Sequence, residues 1–382
     1  MSSRVRKLVY FGPDATHSTV RKRIHAFLAE GVQVVAFTFR RNKIDSDFIP
    51  DWPNIPLGVT TDRAYLRRLR ALARALATVW RRREAARGAD VFFARNFDQQ
   101  VLAIMAKTLL RSPAKIVYEV PDIQAFFTRR SALGRMFRAL ERLALKRTDL
   151  VVCSSPGFER DYFRTRQKHP GPYFIWENKV LASEVAPTAA DGAAPPEPRF
   201  EGRWTIGWFG TLRCIRSMRL LSSLAARFPD RLEIYTRGLP TETGVETYRS
   251  IVSRYDNFIY EGEYKSPHDL AEMYGRVHFT WGFDFHDASG NSRMLLPNRL
   301  YEGGLFGAAP LAHADHETGR YVRDRDIGFV FSEPLEETLA AFFETIDLER
   351  YRRARRRLLD MRAEFVDDGA DTRALLARIG AL

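Results

Sequence analysis

A chain of 382 residues is long enough for two domains with sizeable cores, and 45% hydrophobic with 28% charged residues excludes a disordered or fibrous polymer. Its two cysteines, Cys153 and Cys214, lie in apolar stretches, which excludes a disulfide scaffold and a cysteine-built metal cluster and favours a reducing compartment. The formal charge of +13 is uneven: residues 1–180 hold 34 Lys plus Arg against 16 Asp plus Glu, a net +18, while 181–382 hold 26 against 31, a net −5.

The polar start Met1-Ser2-Ser3 runs directly into Lys7-Leu8-Val9-Tyr10-Phe11-Gly12, which reads as a buried strand, so no signal peptide is expected. No run of 18 apolar residues suggests a membrane span. A helix follows over 18–30, ended by Gly31, and then strands over 32–37, 90–94, 114–120 and 150–154 with helical patterns between them. Residues 182–203, rich in Pro, Ala and Gly, read as a connection. The alternation then restarts with strands over 204–209, 232–236, 277–281 and 309–312 and helices near 217–228, 267–275 and 297–303. Strands alternating with helices predict βαβ units, and therefore an α/β protein of two tandem Rossmann-like, doubly wound domains. The expected division is 1–180, a linker at 181–203, a second domain at 204–345, and C-terminal helices at 346–382 that pack back on the first domain.

Several chemistries lose their support. The first turn, Gly12-Pro13-Asp14-Ala15-Thr16-His17, has one glycine where a dinucleotide fingerprint needs three. No phosphate loop, H-E-x-x-H or G-x-S-x-G occurs. The second half is more informative. Gly210, Thr211 and Arg213 end its first strand at the start of a helix, where phosphate can be held, and Arg237 with Gly238 repeats the theme one strand over. Asn298 and Arg299 open a helix whose first turn can meet a diphosphate, with Glu302 placed to accept from ribose hydroxyls.

The segments Gly207-Trp208-Phe209-Gly210-Thr211, Tyr260-Glu261-Gly262-Glu263-Tyr264 and Asn298-Arg299-Leu300-Tyr301-Glu302-Gly303-Gly304 resemble GT-B fold glycosyltransferases, closest to the family 4 enzymes of bacterial exopolysaccharide assembly, succinoglycan-type transferases included. The resemblance spans nearly the whole chain and is strongest over 204–331. It implies a nucleotide-sugar donor on the C-terminal domain, an acceptor on the N-terminal domain, and transfer in an interdomain cleft. It also implies that Glu302 holds the ribose, Arg213 and Arg299 the diphosphate, and Gly262-Glu263-Tyr264 the nucleobase. The family's E-x7-E pattern would begin at position 294, where Met294 stands, and Glu119-Val120-Pro121-Asp122 replaces a common histidine segment. An inverting path needs a carboxylate base, for which Asp122 is the first candidate and Asp98 the second.

Neither Asp45-Ser46-Asp47 nor Asp324-Arg325-Asp326 follows a convincing strand, and Arg325 repels a cation, so metal-independent transfer without a cofactor is expected. The histidines of His313-Ala314-Asp315-His316 read as loop residues or substrate contacts rather than metal ligands.

The basic half carries two amphipathic segments. Residues 63–87 hold nine arginines, Arg67, Arg70, Arg74, Arg81 and Arg82 among them, around a helical leucine stripe that ends at Trp80. Phe126 and Phe127 open a second segment with arginines through Arg142. Both suit an anionic bilayer, such as the inner face of the cytoplasmic membrane; the resemblance, and not the charge, implies a nucleotide sugar and a polyprenyl-diphosphate-linked saccharide as the other expected partners. A nucleic-acid-binding protein and a GT-B fold nucleotide-sugar epimerase are the alternatives; no recognition motif supports the first, and a soluble substrate needs no membrane face.

Overall fold

The computed structural model describes residues 4–40, 48–59, 65–185, 194–287 and 290–382, with side chains from residue 70 onward in the helix Tyr65–Arg81. The triplet Asp45-Ser46-Asp47, Arg63 and the side chains of Arg67 and Arg68 lie outside these, as do Ala288, Ser289 and residues 186–193 of the connection. The chain forms two compact units, Met1–Glu177 with Gly369–Leu382, and Asn178–Asp368.

The first unit is built on seven strands: β1 (Lys7–Gly12), β2 (Gln33–Arg40), β3 (Asn54–Val59), β4 (Val91–Arg95), β5 (Lys115–Val120), β6 (Leu150–Cys153) and β7 (Tyr173–Ile175). They pair in the order β3-β2-β1-β4-β5-β6-β7, all parallel. Parallel sheets are covered on both faces, which is why β1 and β4 are almost uninterrupted apolar runs. Leu8, Tyr10 and Phe93 pack on one side with Phe27, Trp176 and the last helix, Ala370–Gly380; Val9, Phe11 and Phe92 pack on the other with Ala75, Val79 and Leu102.

The second unit opens with β8 (Val180–Leu181), which pairs with β15 (Val366–Asp367). Its main sheet contains β9 (Trp204–Thr211), β10 (Leu232–Leu239), β11 (Phe258–Tyr260), β12 (Phe279–Trp281), β13 (Ala309–His313) and β14 (Phe329–Phe331), parallel in the order β11-β10-β9-β12-β13-β14. In both sheets the order reverses beside the first strand, and ligands of open α/β sheets bind outside the carboxyl ends at that reversal.

The tandem α/β reading holds, with additions. The ladder carries β9 and β10 on to Gly210↔Gly238 and Thr211↔Leu239, beyond the apolar runs that mark them in the sequence. β3, β7, β11 and β14 are the edge strands, the last three only three residues long; β3 includes Pro56 and Gly58, which read as turn chemistry yet are tolerated at a sheet edge. Within 346–382 the helix Leu348–Asp360 lies in the second unit and Ala370–Gly380 in the first.

Candidate active site

At the carboxyl edge of the second sheet two main chains nearly touch. Gly210 and Gly238 have φ of +102° and +137°, and a Cβ on Gly238 would lie 1.8 Å from the Gly210 oxygen. Only glycine fits there. The Gly262 oxygen accepts from the Gly238 N–H at 2.7 Å, which fixes the turn expected to meet a nucleobase. Tyr264 is half-buried in this turn, its hydroxyl and an Arg299 nitrogen both 3.9 Å from where a Gly210 Cβ would stand. Burial, then the neighbouring Glu302 carboxylate, raise the Tyr264 phenol, so it stays a neutral donor.

Glu302 sits in the helix Asn298–Phe306 and accepts from the Tyr274 hydroxyl at 2.9 Å. Asn298 is exposed at the helix start, and no side chain caps that end. Arg299 donates to the Trp281, Phe209 and Phe283 oxygens at 2.9, 3.1 and 3.3 Å, joining the ends of β9 and β12; these three bonds leave two of its five N–H groups for other partners. Arg237 donates to the Glu263 oxygen and to Asp269, while its buried Nε has no partner among the described residues. Thr211 is exposed, and Arg213 lies 3.8 Å from Asp284. Burial opposes ionisation of Asp284, but the Ser292 hydroxyl, Arg299, the His286 N–H and Arg213 outweigh it and hold the carboxyl below its ordinary range. Gly210, Arg237, Tyr264, Arg299 and Glu302 therefore share one neighbourhood, with Thr211 and Arg213 at its rim.

The carboxyl edge of the first sheet is made differently. Arg95, ending β4, and Arg23 both reach Glu119 of β5, at 2.6 and 2.9 Å, and all three are buried. Burial opposes the Glu119 charge, and Arg95 and Arg23 overcome it and hold the carboxyl low. Asn96 follows at φ +73°, a left-handed conformation that is strained for a residue with a side chain. Asp122 is exposed two residues past β5 and lines a narrow cavity with Asn96, Phe97, Tyr118, Phe127 and Glu141. It does not cap the short helix Ala125–Thr128, which starts from Gln124. Asp98 lies in the first turn of the helix Phe97–Leu110, where a carboxylate suits the helix dipole, and is not part of that cavity lining. Glu141 is fully buried; Tyr118 donates to it at 3.1 Å, and Tyr162 and Gln167 also bond it. Burial nevertheless pushes its carboxyl up to about 7.

The basic segments divide on inspection. The helix Tyr65–Arg81 turns Ala75 and Val79 to the core and leaves Arg70, Arg74, Arg81 and Trp80 exposed, with Arg82 just beyond. The expectation for Phe126 and Phe127 is corrected. Phe127 is 2% exposed, packed 5.3 Å from Phe97, and Phe126 is half-buried 4.7 Å from Phe137. Phe127 is an interior residue and Phe126 is partly covered because Phe137 of the helix Ala132–Leu145 packs against both. That helix instead exposes Leu133, Met136, Leu140 and Leu143, at 44–60%. Their three- and four-residue spacing is visible in the sequence but is masked by the intervening arginines. Sequence reasoning also missed Arg216, in the first turn of the helix Ile215–Arg227, which binds both Glu333 oxygens at 2.7 and 2.8 Å.

Among the described residues no group of three or more His, Cys, Asp or Glu is placed to hold a metal ion. Asp324 and Asp326 sit at the end of the helix Glu317–Arg325, with Arg325 turned onto the Tyr321 ring.

Two tandem parallel doubly wound sheets make the GT-B architecture, and comparison with known proteins supplies the activity. The chain is 35% identical over 379 residues to succinoglycan biosynthesis protein ExoL of Rhizobium meliloti (strain 1021), covering 98% of this chain and 94% of that one. It belongs to the ExoL family of GT-B glycosyltransferases, enzymes that move a sugar from a nucleotide-diphosphate donor in glycan assembly. Solved structures with the same fold include sucrose-phosphate synthase from Thermosynechococcus elongatus (TM-score 0.68, 14% identity, 98% of each chain) and HepE from Anabaena in complex with UDP and glucose (0.68, 14%, 98% and 99%). The lipopolysaccharide outer core galactosyltransferase WaaB is similar at 0.65 and 12%, over 98% and 100% of the chains. No protein-family model matches the chain.

Proposed function

We propose that this glycosyltransferase moves its sugar onto a saccharide carried by a polyprenyl diphosphate, working as a peripheral protein on the anionic cytoplasmic face of a membrane. The observation that carries this reading is the helix Ala132–Leu145. Its exposed Leu133, Met136, Leu140 and Leu143 are flanked by Arg129, Arg130, Arg135, Arg138, Arg142, Lys146 and Arg147, and the only acid from 123 to 148 is the buried Glu141. An apolar stripe bordered by cations with no exposed acid matches the chemistry of an anionic bilayer surface, where each cation contributes about 1 kcal/mol. The exposed Arg70, Arg74, Trp80, Arg81 and Arg82 add to the same charge. The names of ExoL and WaaB, concerned with succinoglycan and lipopolysaccharide, are in keeping with a cell-envelope or exopolysaccharide product.

In this reading the second unit holds the donor. Glu302 takes the ribose; Gly210, Thr211 and the first turn at Asn298 present main chain to the diphosphate; Arg213, Arg237 and the remaining N–H groups of Arg299 offset its charge. Tyr264 and its turn meet the nucleobase. In an inverting transfer Asp122 takes the acceptor hydroxyl's proton as that oxygen bonds the anomeric carbon, and the bond to the diphosphate breaks with its electrons leaving on the nucleotide; Asp98 is the second candidate for base. The test combines thermal-shift measurements on a panel of nucleotide sugars with transfer to a polyprenyl-diphosphate saccharide in anionic and neutral vesicles. Stabilisation by one nucleotide sugar and faster transfer on anionic vesicles are expected. Absence of any shift would remove the donor assignment, and equal rates on both vesicles the electrostatic docking.

A further inference from the structure

Three neighbouring strands of the second sheet, β9, β12 and β13, each place a polar side chain just past the carboxyl end: Arg213, Asp284 and His316. We propose that His316 and Asp284 together read the hydroxyl groups of the donor's sugar, with His316 the residue that sets which sugar is accepted. The proposal rests on the glycosyltransferase reading and adds a subsite beside the nucleotide residues.

The two histidines of the His313-Ala314-Asp315-His316 segment differ. Their rings stack at 4.4 Å, and Phe285 lies edge-on to both. His313 is committed: its Nδ1 accepts from the Asp315 N–H at 3.1 Å, so its hydrogen sits on Nε2, 3.4 Å from Glu333, which Arg216 holds from the other side. His316 is not committed. It is 7% exposed, yet its ring makes no hydrogen bond among the described residues. It also stands at the N-cap of the helix Glu317–Arg325 without capping it, a position that Ser, Asp or Asn fills better. With the residue otherwise buried, its unbonded ring nitrogens keep only a solvent-touching edge, where a ligand's hydroxyl groups can bond them.

The surroundings say what kind of ligand. Asp284 is fixed through one oxygen by Ser292 at 2.6 Å and the His286 N–H at 3.0 Å, while its other oxygen has only Arg213 at 3.8 Å. Among the described residues that second oxygen therefore has acceptor capacity for hydroxyl donors. Burial, His313 and Arg293 depress His316 to about 4, so it is a neutral imidazole, donor at one nitrogen and acceptor at the other, as suits a hydroxyl and not a phosphate. The exposed Arg293 is an electrostatic neighbour of His316.

The experiment measures calorimetric affinity of the full-length protein for UDP, GDP, ADP and dTDP and for the glucose and galactose conjugates of each. It compares wild type with His316→Phe, which keeps ring volume against His313, and His316→Asn, which can cap the helix; unchanged melting temperature verifies folding. Wild type should separate the two epimers of its preferred nucleotide by tenfold or more, and His316→Phe should reduce that ratio about tenfold with bare nucleotide affinity unaltered. An undiminished ratio in both variants, an equal loss for nucleotide and nucleotide sugar, or no epimer preference in wild type overturns the assignment. Wild type that binds no nucleotide at all overturns the donor reading itself, a different and separable failure.

Discussion

The two sheets share one strand order and finish their carboxyl edges in opposite ways. The first closes its edge with buried ions: Arg23 and Arg95 both pair with Glu119. The second leaves its edge to main chain, with Gly210 against Gly238 and partly exposed Arg213, Arg237 and Tyr264 around them. A buried ion cluster costs desolvation and fixes geometry, whereas bare main chain lets a ligand approach closely. The same topology thus supports a rigid platform in one unit and a receptive surface in the other.

The largest expected effect comes from breaking the platform. Glu119→Gln leaves two guanidinium groups buried without their carboxylate and should lower unfolding free energy by about 3–5 kcal/mol, read by urea denaturation. Gly238→Ala tests the receptive edge: its φ and the Gly210 oxygen both oppose a Cβ, so a loss of about 3 kcal/mol together with loss of nucleotide-induced thermal stabilisation is expected. A similar magnitude with a pH signature belongs to Glu141. Its folded value is raised from 4.5 to about 7, so its contribution is complete below pH 4.5 and is lost as pH rises through 7. Wild type should therefore lose about 3 kcal/mol relative to Glu141→Gln between pH 4.5 and 8, and parallel pH profiles would refute this. Glu302→Ala should weaken nucleotide affinity about tenfold to a hundredfold without a change in fold, measured by calorimetry. The smallest energy per residue is expected at the exposed stripe: replacing Leu133, Met136, Leu140 and Leu143 by Ser should diminish flotation with anionic vesicles while the melting temperature holds.

The tandem α/β architecture was legible because parallel strands buried on two faces are apolar throughout and stand out between amphipathic helices. That Gly210 and Glu302 lie at the carboxyl edge of one sheet was legible because each stands at a fixed place, the one ending a strand and the other one turn into a helix. The edge strands were not, since β3 contains Pro56 and Gly58 and β11 and β14 are three residues each. Phe126 and Phe127 misled because adjacent aromatics beside arginines look alike whether they face lipid or a covering helix. The Arg23, Glu119 and Arg95 cluster joins residues from three separate elements, and nothing in their spacing indicates that they meet. His316 reads in the sequence as a loop residue or substrate contact; that its ring makes no hydrogen bond among the described residues while His313 has two polar partners is a fact of packing alone.

The helix Ala370–Gly380 places Leu375 and Ile379 in the core of the first unit, against a sheet whose strands end at Ile175. Synthesis runs from the N-terminus, so that face of the sheet must wait, with Phe27, Phe93 and Trp176 short of their last cover, until the whole second unit has been made. The first unit to leave the ribosome is in this sense the last to be finished, and the second acquires all of its own chain before its predecessor is sealed.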